Sequence, residues 1–403
     1  MSVDQTTRVL VTGAQGFIGK NLVVRLGELA NTEVLSFTRG DSKEMLTALI
    51  AKSDTIVHLA GENRPNDVAD FTRGNTDFTN ALCEAITASG RSISLIFASS
   101  TQAEQDNPYG QSKLAAERLV ETFADETSNL VAIYRLPGVF GKWCKPNYNS
   151  VVATYCHNIA RDLPIQINDT TTTLQLVYVD DVVDHFIQFL DESIDHHGLL
   201  AVTGAPVTAS SKPKGTVVVP TGLADQRFAK VKPQYTITLG GLAEQIRAFK
   251  NCRTTLISER VGTGLTRALY ATYISYLPAE RFVYDLPQYG DERGLFVEML
   301  KTPDCGQFSF FTLHSGVTRG SHYHHTKTEK FLVLRGVARM RFRQMVTGET
   351  YEVTVSGDKL QVVDTIPGWA HDITNVGDSE VLVMLWANEI FDRQRPDCIT
   401  CEV

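Results

Sequence analysis

No run of apolar residues approaches the roughly 20 needed to cross a bilayer as a helix, so no membrane span is expected. Positive charge is not in excess. Lys and Arg total 38 against 46 Asp and Glu, a net charge of −8, which argues against a nucleic-acid partner and its need for a basic face. The opening MSVDQTTRVLVTG has no basic stretch leading into an apolar one, so it does not read as a secretion signal. Cysteine is sparse and odd in number, seven in all, at 83, 144, 156, 252, 305, 398 and 401, which fits a reduced cytoplasmic setting rather than a disulfide framework. Cys398 and Cys401 form a C-x-x-C with no second pair at zinc spacing, and they read as two free thiols. No internal repeat is evident.

What is present suits a soluble globular chain. Its 403 residues are 43% hydrophobic and 21% charged, enough for two cored domains. From residue 8 to about 190, apolar runs alternate with amphipathic stretches: RVLVTG (8–13), EVLSF (33–37), DTIVHLAG (54–61), SLIFASS (94–100) and LVAIYRLPGVFG (130–141) read as buried strands. GKNLVVRLGELA (19–30) and QSKLAAERLVETFADET (111–127) read as helices between them. Near-continuous apolar strands separated by helices imply a parallel sheet covered on both faces, an α/β doubly wound Rossmann-type fold. From 282 onward short alternating runs broken by Gly, Asp and Asn predict an all-β antiparallel sandwich or barrel. Two helices are predicted between the halves, at 238–250 and 264–278. Pro278 is a natural stop, so the expected domains are 1–278 and 279–403. Residues 205–234, rich in Pro, Lys, Ser and Gly, read as an insertion loop.

TGAQGFIG puts Gly13, Gly16 and Gly19 between a strand and a helix, where a tight turn and close backbone approach seat a pyrophosphate on the helix N-terminus. The second strand ends in SFTRG, with Arg39 where an NAD-specific site would carry an acid. A guanidinium suits a 2′-phosphate, so NADPH is expected. In YGQSK, Tyr109 and Lys113 stand four apart on one helix face. Lys113 can lower the phenol pKa and hold the nicotinamide ribose, so that Tyr109 can pass a proton to a carbonyl oxygen. Ser100, or Thr101 beside it, would hydrogen-bond that oxygen.

In the second half, His322-x-His324 on a strand places both imidazoles on one face, Glu329 lies beyond a turn, and PGWAHDITN supplies His371. Three histidines and a carboxylate suit zinc or another divalent first-row ion. A metal-free site using the same histidines as acid, base or structural groups is the alternative. His325, Lys327 and Lys330 are candidate proton carriers, and Arg339, Arg341 and Arg343 form a basic strand face of the kind that usually meets solvent.

The N-terminal motifs, with HLAG (58–61), RLPGVFG (135–141) and VYVDDVV (177–183), resemble the nucleotide-sugar branch of the extended short-chain dehydrogenase/reductase family over roughly residues 1–270. Ser100 and Tyr109, nine apart, are closer than that family's usual spacing. The resemblance implies cofactor contacts from Phe17, Ile18, Leu59 and Ala60, and sugar-nucleotide contacts from Asn63, Arg64, Arg135 and Asn147. The C-terminal motifs resemble the cupins. Upstream, YGDERGLFVEML (289–300) resembles the sugar-nucleotide 3,5-epimerases, which implies that Arg293 contacts the nucleotide diphosphate.

The fusion resembles bifunctional enzymes of capsular polysaccharide biosynthesis. That implies C3 epimerisation of UDP-2-acetamido-2,6-dideoxy-β-L-arabino-4-hexulose by a zinc cupin, then NADPH-dependent C4 reduction to the L-talo sugar on the UDP-N-acetyl-L-fucosamine route. It also implies a homodimer formed through cupin domains. The alternatives are a 4-keto reductase whose cupin only dimerises, and a sugar-nucleotide sensor without turnover.

Overall fold

Alternate residues of the first-half strands reach opposite faces of one sheet, and both faces are covered. β1 (Thr7–Thr12), β2 (Thr32–Phe37), β3 (Thr55–His58), β4 (Ser94–Ser100), β5 (Val131–Leu136) and β6 (Phe228–Ala229) form a parallel sheet in the order β2-β1-β3-β4-β5-β6. Val9 and Val11 of β1 pack with Leu22 and Leu26 on one face, where Ile96, Ala98 and Phe186 join them. Leu10, Leu95 and Phe97 pack on the other face with Leu46, Ile50 and Ile86. This two-sided burial is why the strands read as continuous apolar runs.

The order reverses between β1 and β3, and a doubly wound sheet binds its ligand beyond the carboxyl ends of the strands at such a point. The glycine turn after β1 and the Leu59–Ala60 segment after β3 both stand there. β6 lies within the stretch expected to be an insertion loop. Residues 228 and 229 instead pair with β5 and complete the sheet.

The computed structural model describes residues 6–127, 129–203, 228–291, 294–297, 299–300, 302, 306–389 and 394–403. The chain folds as two compact units, Met1–Val139 with Gln175–Gln234, and Phe140–Leu174 with Tyr235–Val403. The described part of the second unit holds the helices Val151–Ala160, Leu239–Thr255 and Gly264–Ser275 together with two five-stranded antiparallel sheets.

One sheet comprises β7 (Val283–Asp285), β13 (Gln361–Asp364), β10 (Glu329–Arg335), β15 (Val381–Ala387) and β8 (Gln307–Leu313), in that order. The other runs β12 (Thr350–Ser356), β11 (Val337–Gln344), β14 (Trp369–Asn375), β9 (Thr318–Tyr323) and β16 (Ile399–Thr400). A buried ion cluster ties helix Leu239–Thr255 to the first sheet. Asp364 accepts from Lys330 Nζ at 2.7 Å and from the Arg253 guanidinium, and Tyr284 Oη is 3.0 Å from Lys330 Nζ. Breaking such a buried pair by removing one partner costs about 3–5 kcal/mol, because the other charge is stranded.

Candidate active site and metal centre

Gly13 has φ +69°, and a Cβ there would lie 2.7 Å from Ala60 N, so only glycine lets β1 turn this close to the segment after β3. Gly16 and Gly19 press on the Gly13 carbonyl, at 3.0 and 2.2 Å from where a Cβ would stand. Phe17 and Ile18 open helix α1 (Phe17–Gly27) and are half-buried. Leu59 N donates to Thr12 O at 3.2 Å and Ala60 N to Thr12 Oγ1 at 3.3 Å, so both expected cofactor residues line the turn.

β4 delivers Ser100, and helix α2 (Pro108–Glu126) delivers Tyr109 and Lys113. Pro108 stands in the helix's first turn, and Asn107 caps it by accepting from Gly110 N at 2.8 Å. A single 3₁₀ turn, Thr101–Glu104, links strand to helix. Gly110 fits against Gln102 O with no room for a Cβ, which would stand 2.2 Å away. This tight link explains the nine-residue spacing. It leaves the Ser100 hydroxyl beside the Tyr109 phenol, whose pKa is raised by burial and drawn back by Ser100.

Lys113 is buried, with Nζ 2.9 Å from Ala98 O and 5.1 Å from the centre of the Phe97 ring. Burial pushes its pKa down to about 8, and the Glu117 carboxylate one turn on opposes the shift. Ser100 and Tyr109 thus lie side by side, with Lys113 one helical turn on.

The expected recognition residues divide. Arg39, two residues beyond β2, is 84% exposed and paired with Glu62. Asn63 and Arg64 are exposed on the loop after β3. Arg135 is committed elsewhere. It grips Glu117 at 2.6–3.2 Å and Glu104 at 2.7 Å, and its guanidinium lies 4.1 Å from the centre of the Phe228 ring, so its charge is spent on the chain's own carboxylates. Asn147 belongs to the second unit, in a left-handed turn (φ 52°) whose N–H donates to Thr154 Oγ1 at 3.0 Å. Arg293 and the 205–227 part of the expected insertion lie outside the described residues.

In the second unit the four expected ligands converge. His322 on β9 is the register partner of His371 on β14, and Glu329 opens β10 of the other sheet, so the site lies between the two sheets. A bulge at Gly320–His322, with Ser321 at φ 57°, turns the strand at the first ligand. One ligand atom from each of His322, His324, Glu329 and His371 lies within 4.8 Å of all the others. Burial depresses the His322 pKa to about 3 and lowers that of His371, which leaves neutral imidazoles with free lone pairs. Burial alone would raise the Glu329 pKa, but the contacts from His324 and His371 hold it well below the usual carboxylate range. His322 Nε2 and His371 Nε2 are buried without a hydrogen-bond partner among the described residues. Orphaned lone pairs around an ionised carboxylate fit a divalent cation in donor type, number and charge.

Of the candidate proton carriers, Lys327 stays at the site, with Nζ 2.9 Å from Glu329 Oε1. Lys330 is taken up by Asp364 and Tyr284. Arg341 pairs with Asp372, and Arg339 lies 3.8 Å from Glu352.

Residues 9–200 match the NAD dependent epimerase/dehydratase family, and residues 289–399 match the polysaccharide biosynthesis C-terminal domain. The chain is 51% identical over 396 residues to the UDP-2-acetamido-2,6-beta-L-arabino-hexul-4-ose reductase of Pseudomonas aeruginosa, covering 98% of this chain and 99% of that one. The capsular polysaccharide assembling protein CapF from Staphylococcus aureus, a solved structure, is 40% identical with a TM-score of 0.61, covering 98% and 100% of the two chains. The chain belongs to the CapF family. It is an enzyme of the epimerase/dehydratase type.

Several residues of this CapF-family chain that support the site escaped sequence reasoning. Asn75 holds the loop after β3 to α2, with Oδ1 accepting from Glu62 N at 2.8 Å and Nδ2 donating to Glu62 O and Ser112 Oγ, both at 2.9 Å. His58, kept neutral by burial at a pKa of about 3, bridges Thr12 Oγ1 at 2.7 Å and Thr79 Oγ1 at 2.9 Å. Glu117 takes Ser99 at 2.5 Å as well as Arg135. Only HLAG, which contains His58, carried a local signal for any of them.

Proposed function

We propose that this chain converts a UDP-activated 2-acetamido-2,6-dideoxy-4-hexulose in two steps, inverting C3 in the antiparallel domain and then reducing C4 with NADPH in the parallel one. The observation that carries the proposal is the pairing, in one chain, of the Ser100–Tyr109–Lys113 set with a second buried site of three histidines and Glu329. A reductase alone has no use for the second site. The relative's name, a reductase of the arabino-hexul-4-ose, supports UDP-2-acetamido-2,6-dideoxy-β-L-arabino-4-hexulose as substrate and the L-talo sugar as product.

The functional division is proposed at 278/279, with residues 279–403 as a cupin. The match of 289–399 to one C-terminal domain family supports that division. A homodimer formed through this domain, in the cytoplasm, is part of the proposal, and Phe310, 74% exposed on the edge strand β8, would be a residue for it to cover.

In the first step a side-chain base of this site takes the C3 proton to give an enolate delocalised onto the C4 oxygen, and a side-chain acid returns a proton to the opposite face. His322, His324, Glu329 and His371 would hold a divalent ion, zinc by the donor set, whose charge would stabilise an enolate oxygen. Lys327, beside Glu329, would add a second positive charge.

In the second step NADPH supplies hydride to C4 and Tyr109 gives its proton to the O4 that forms. Ser100 steadies that oxygen, and the charge of Lys113 favours the phenolate left behind. The direct test is stoichiometric: one NADPH should be oxidised per 4-keto UDP-sugar, with a product inverted at C3. No oxidation with any such ketone would leave a binding protein.

Arg39 tests the cofactor choice. A 2′-phosphate should displace Glu62 from its guanidinium. Arg39→Ala should raise the KM for NADPH about tenfold or more, the scale of one charge-assisted hydrogen bond. The KM for NADH should stay near its original value. Equal shifts for both would mean that Arg39 does not read the phosphate.

A further inference from the structure

The C-terminal segment runs against the strand that carries the histidines. In β16, Thr400 is the register partner of His322 and Ile399 that of Tyr323, while Cys401 N donates to Ser321 O at 2.8 Å. Because β9 pairs with β14 along its other edge, the ligand strand is held from both sides.

Just before β16, Asp397 closes the loop that follows the strand. Its carboxylate accepts from three consecutive backbone N–H groups, those of His325 at 2.8 Å and of Thr326 and Lys327 at 2.7 Å each, and from Thr326 Oγ1 at 3.0 Å. Its backbone carbonyl faces His324 Nδ1 in a hydrogen bond. A carboxylate in a concave set of N–H groups makes charge-assisted bonds stronger than neutral ones and fixes the backbone that supplies them.

The bond to the Asp397 carbonyl also decides a tautomer. A carbonyl only accepts, so Nδ1 of His324 carries hydrogen and Nε2 keeps its lone pair unless the ring is protonated. That Nε2 faces Glu329 Oε2 at 3.2 Å. Two acceptors at that distance call for a positive charge between them.

We propose that Asp397 is a positioning residue of the metal centre: by clamping residues 324–327 and fixing the His324 tautomer, the C-terminal segment sets the affinity of the site for its divalent ion. This rests on the metal reading above, and the two fail separately.

The full-length chain and its Asp397→Asn, Asp397→Ala and Glu402→Ala variants should be titrated with Zn²⁺ and Co²⁺ against a competing chelator. Both Asp397 variants should bind about 10–100-fold more weakly, the usual loss on removing an outer-shell partner, with Glu402→Ala unchanged. Failure of the wild-type chain to bind either ion would refute the metal reading itself. Wild-type binding with Asp397 variants within threefold of it would overturn this inference alone.

Should the Asp397 variants not fold, hydrogen exchange of the wild-type 325–327 amides decides. Linkage requires an ion that depends on the clamp to tighten it in return, so Zn²⁺ should slow those amides at least about tenfold. Equal exchange with and without Zn²⁺ would also overturn the inference.

Discussion

Tyr109→Phe is expected to slow NADPH oxidation by about 10²–10⁴-fold, the usual cost of losing a general acid, while leaving the fold and the exchange of the C3 proton intact. The substitution removes one oxygen and keeps the ring against Phe71, with centroids 5.7 Å apart, so packing is preserved. What is lost is the hydroxyl beside Ser100 and the proton it would give to O4. Lys113 predicts a companion pH effect. Its ammonium, with a pKa near 8 set by burial, is charged below that value and loses its charge as pH rises through it. Reduction should therefore fall off above about pH 8. A Tyr109→Phe enzyme within threefold of wild type would remove Tyr109 from the mechanism.

The second large effect belongs to the other site. His322→Ala should take the metal content of the purified chain from about one ion to almost none and abolish C3 exchange, yet leave reduction of an already inverted ketone nearly unchanged. His322 offers a neutral, buried Nε2 without a hydrogen-bond partner among the described residues, so its removal deletes one of the four donors that would hold the ion. Adding Zn²⁺ to metal-free wild-type chain should also raise its melting temperature. An ion at 100 times its Kd stabilises the form that binds it by about 2.7 kcal/mol. Elemental analysis of protein never exposed to a nickel resin measures the content. Full metal in His322→Ala would mean that the ion sits elsewhere.

Most of the site that was legible in the sequence is built from neighbours in the chain, with His371 supplied by a motif of its own. Gly13, Gly16 and Gly19 are bound to one turn, Tyr109 and Lys113 to one helix face, and His322 and His324 to one strand end, so spacing alone brings them together. Arg135 shows the limit. A cation after a strand says nothing of which acid it meets, and Glu117 and Glu104 claim it only in the folded chain. Lys330 met the same fate with Asp364, while Lys327, three residues earlier, stayed with Glu329. β6 left no trace because two residues carry no periodicity inside a Lys- and Pro-rich stretch. Asp397 was silent for a different reason. Its partners lie 70 to 73 residues earlier, and only the return of the chain as β16 brings them to it.

The chemistry fixes an order for the two steps, and that order tests the account most directly. Only the C4 ketone acidifies the C3–H, so inversion must precede reduction, and an alcohol at C4 leaves C3 inert. The decisive measurement is deuterium at C3 when the 4-keto UDP-sugar is incubated in D₂O with wild type, Tyr109→Phe and His322→Ala, first without NADPH and then with it. Uptake is predicted without NADPH in wild type and in Tyr109→Phe but not in His322→Ala, and the wild-type reduced product should carry the label at an inverted C3. A wild-type product with hydrogen retained at C3 would contradict the account and leave the antiparallel domain with no part in the chemistry.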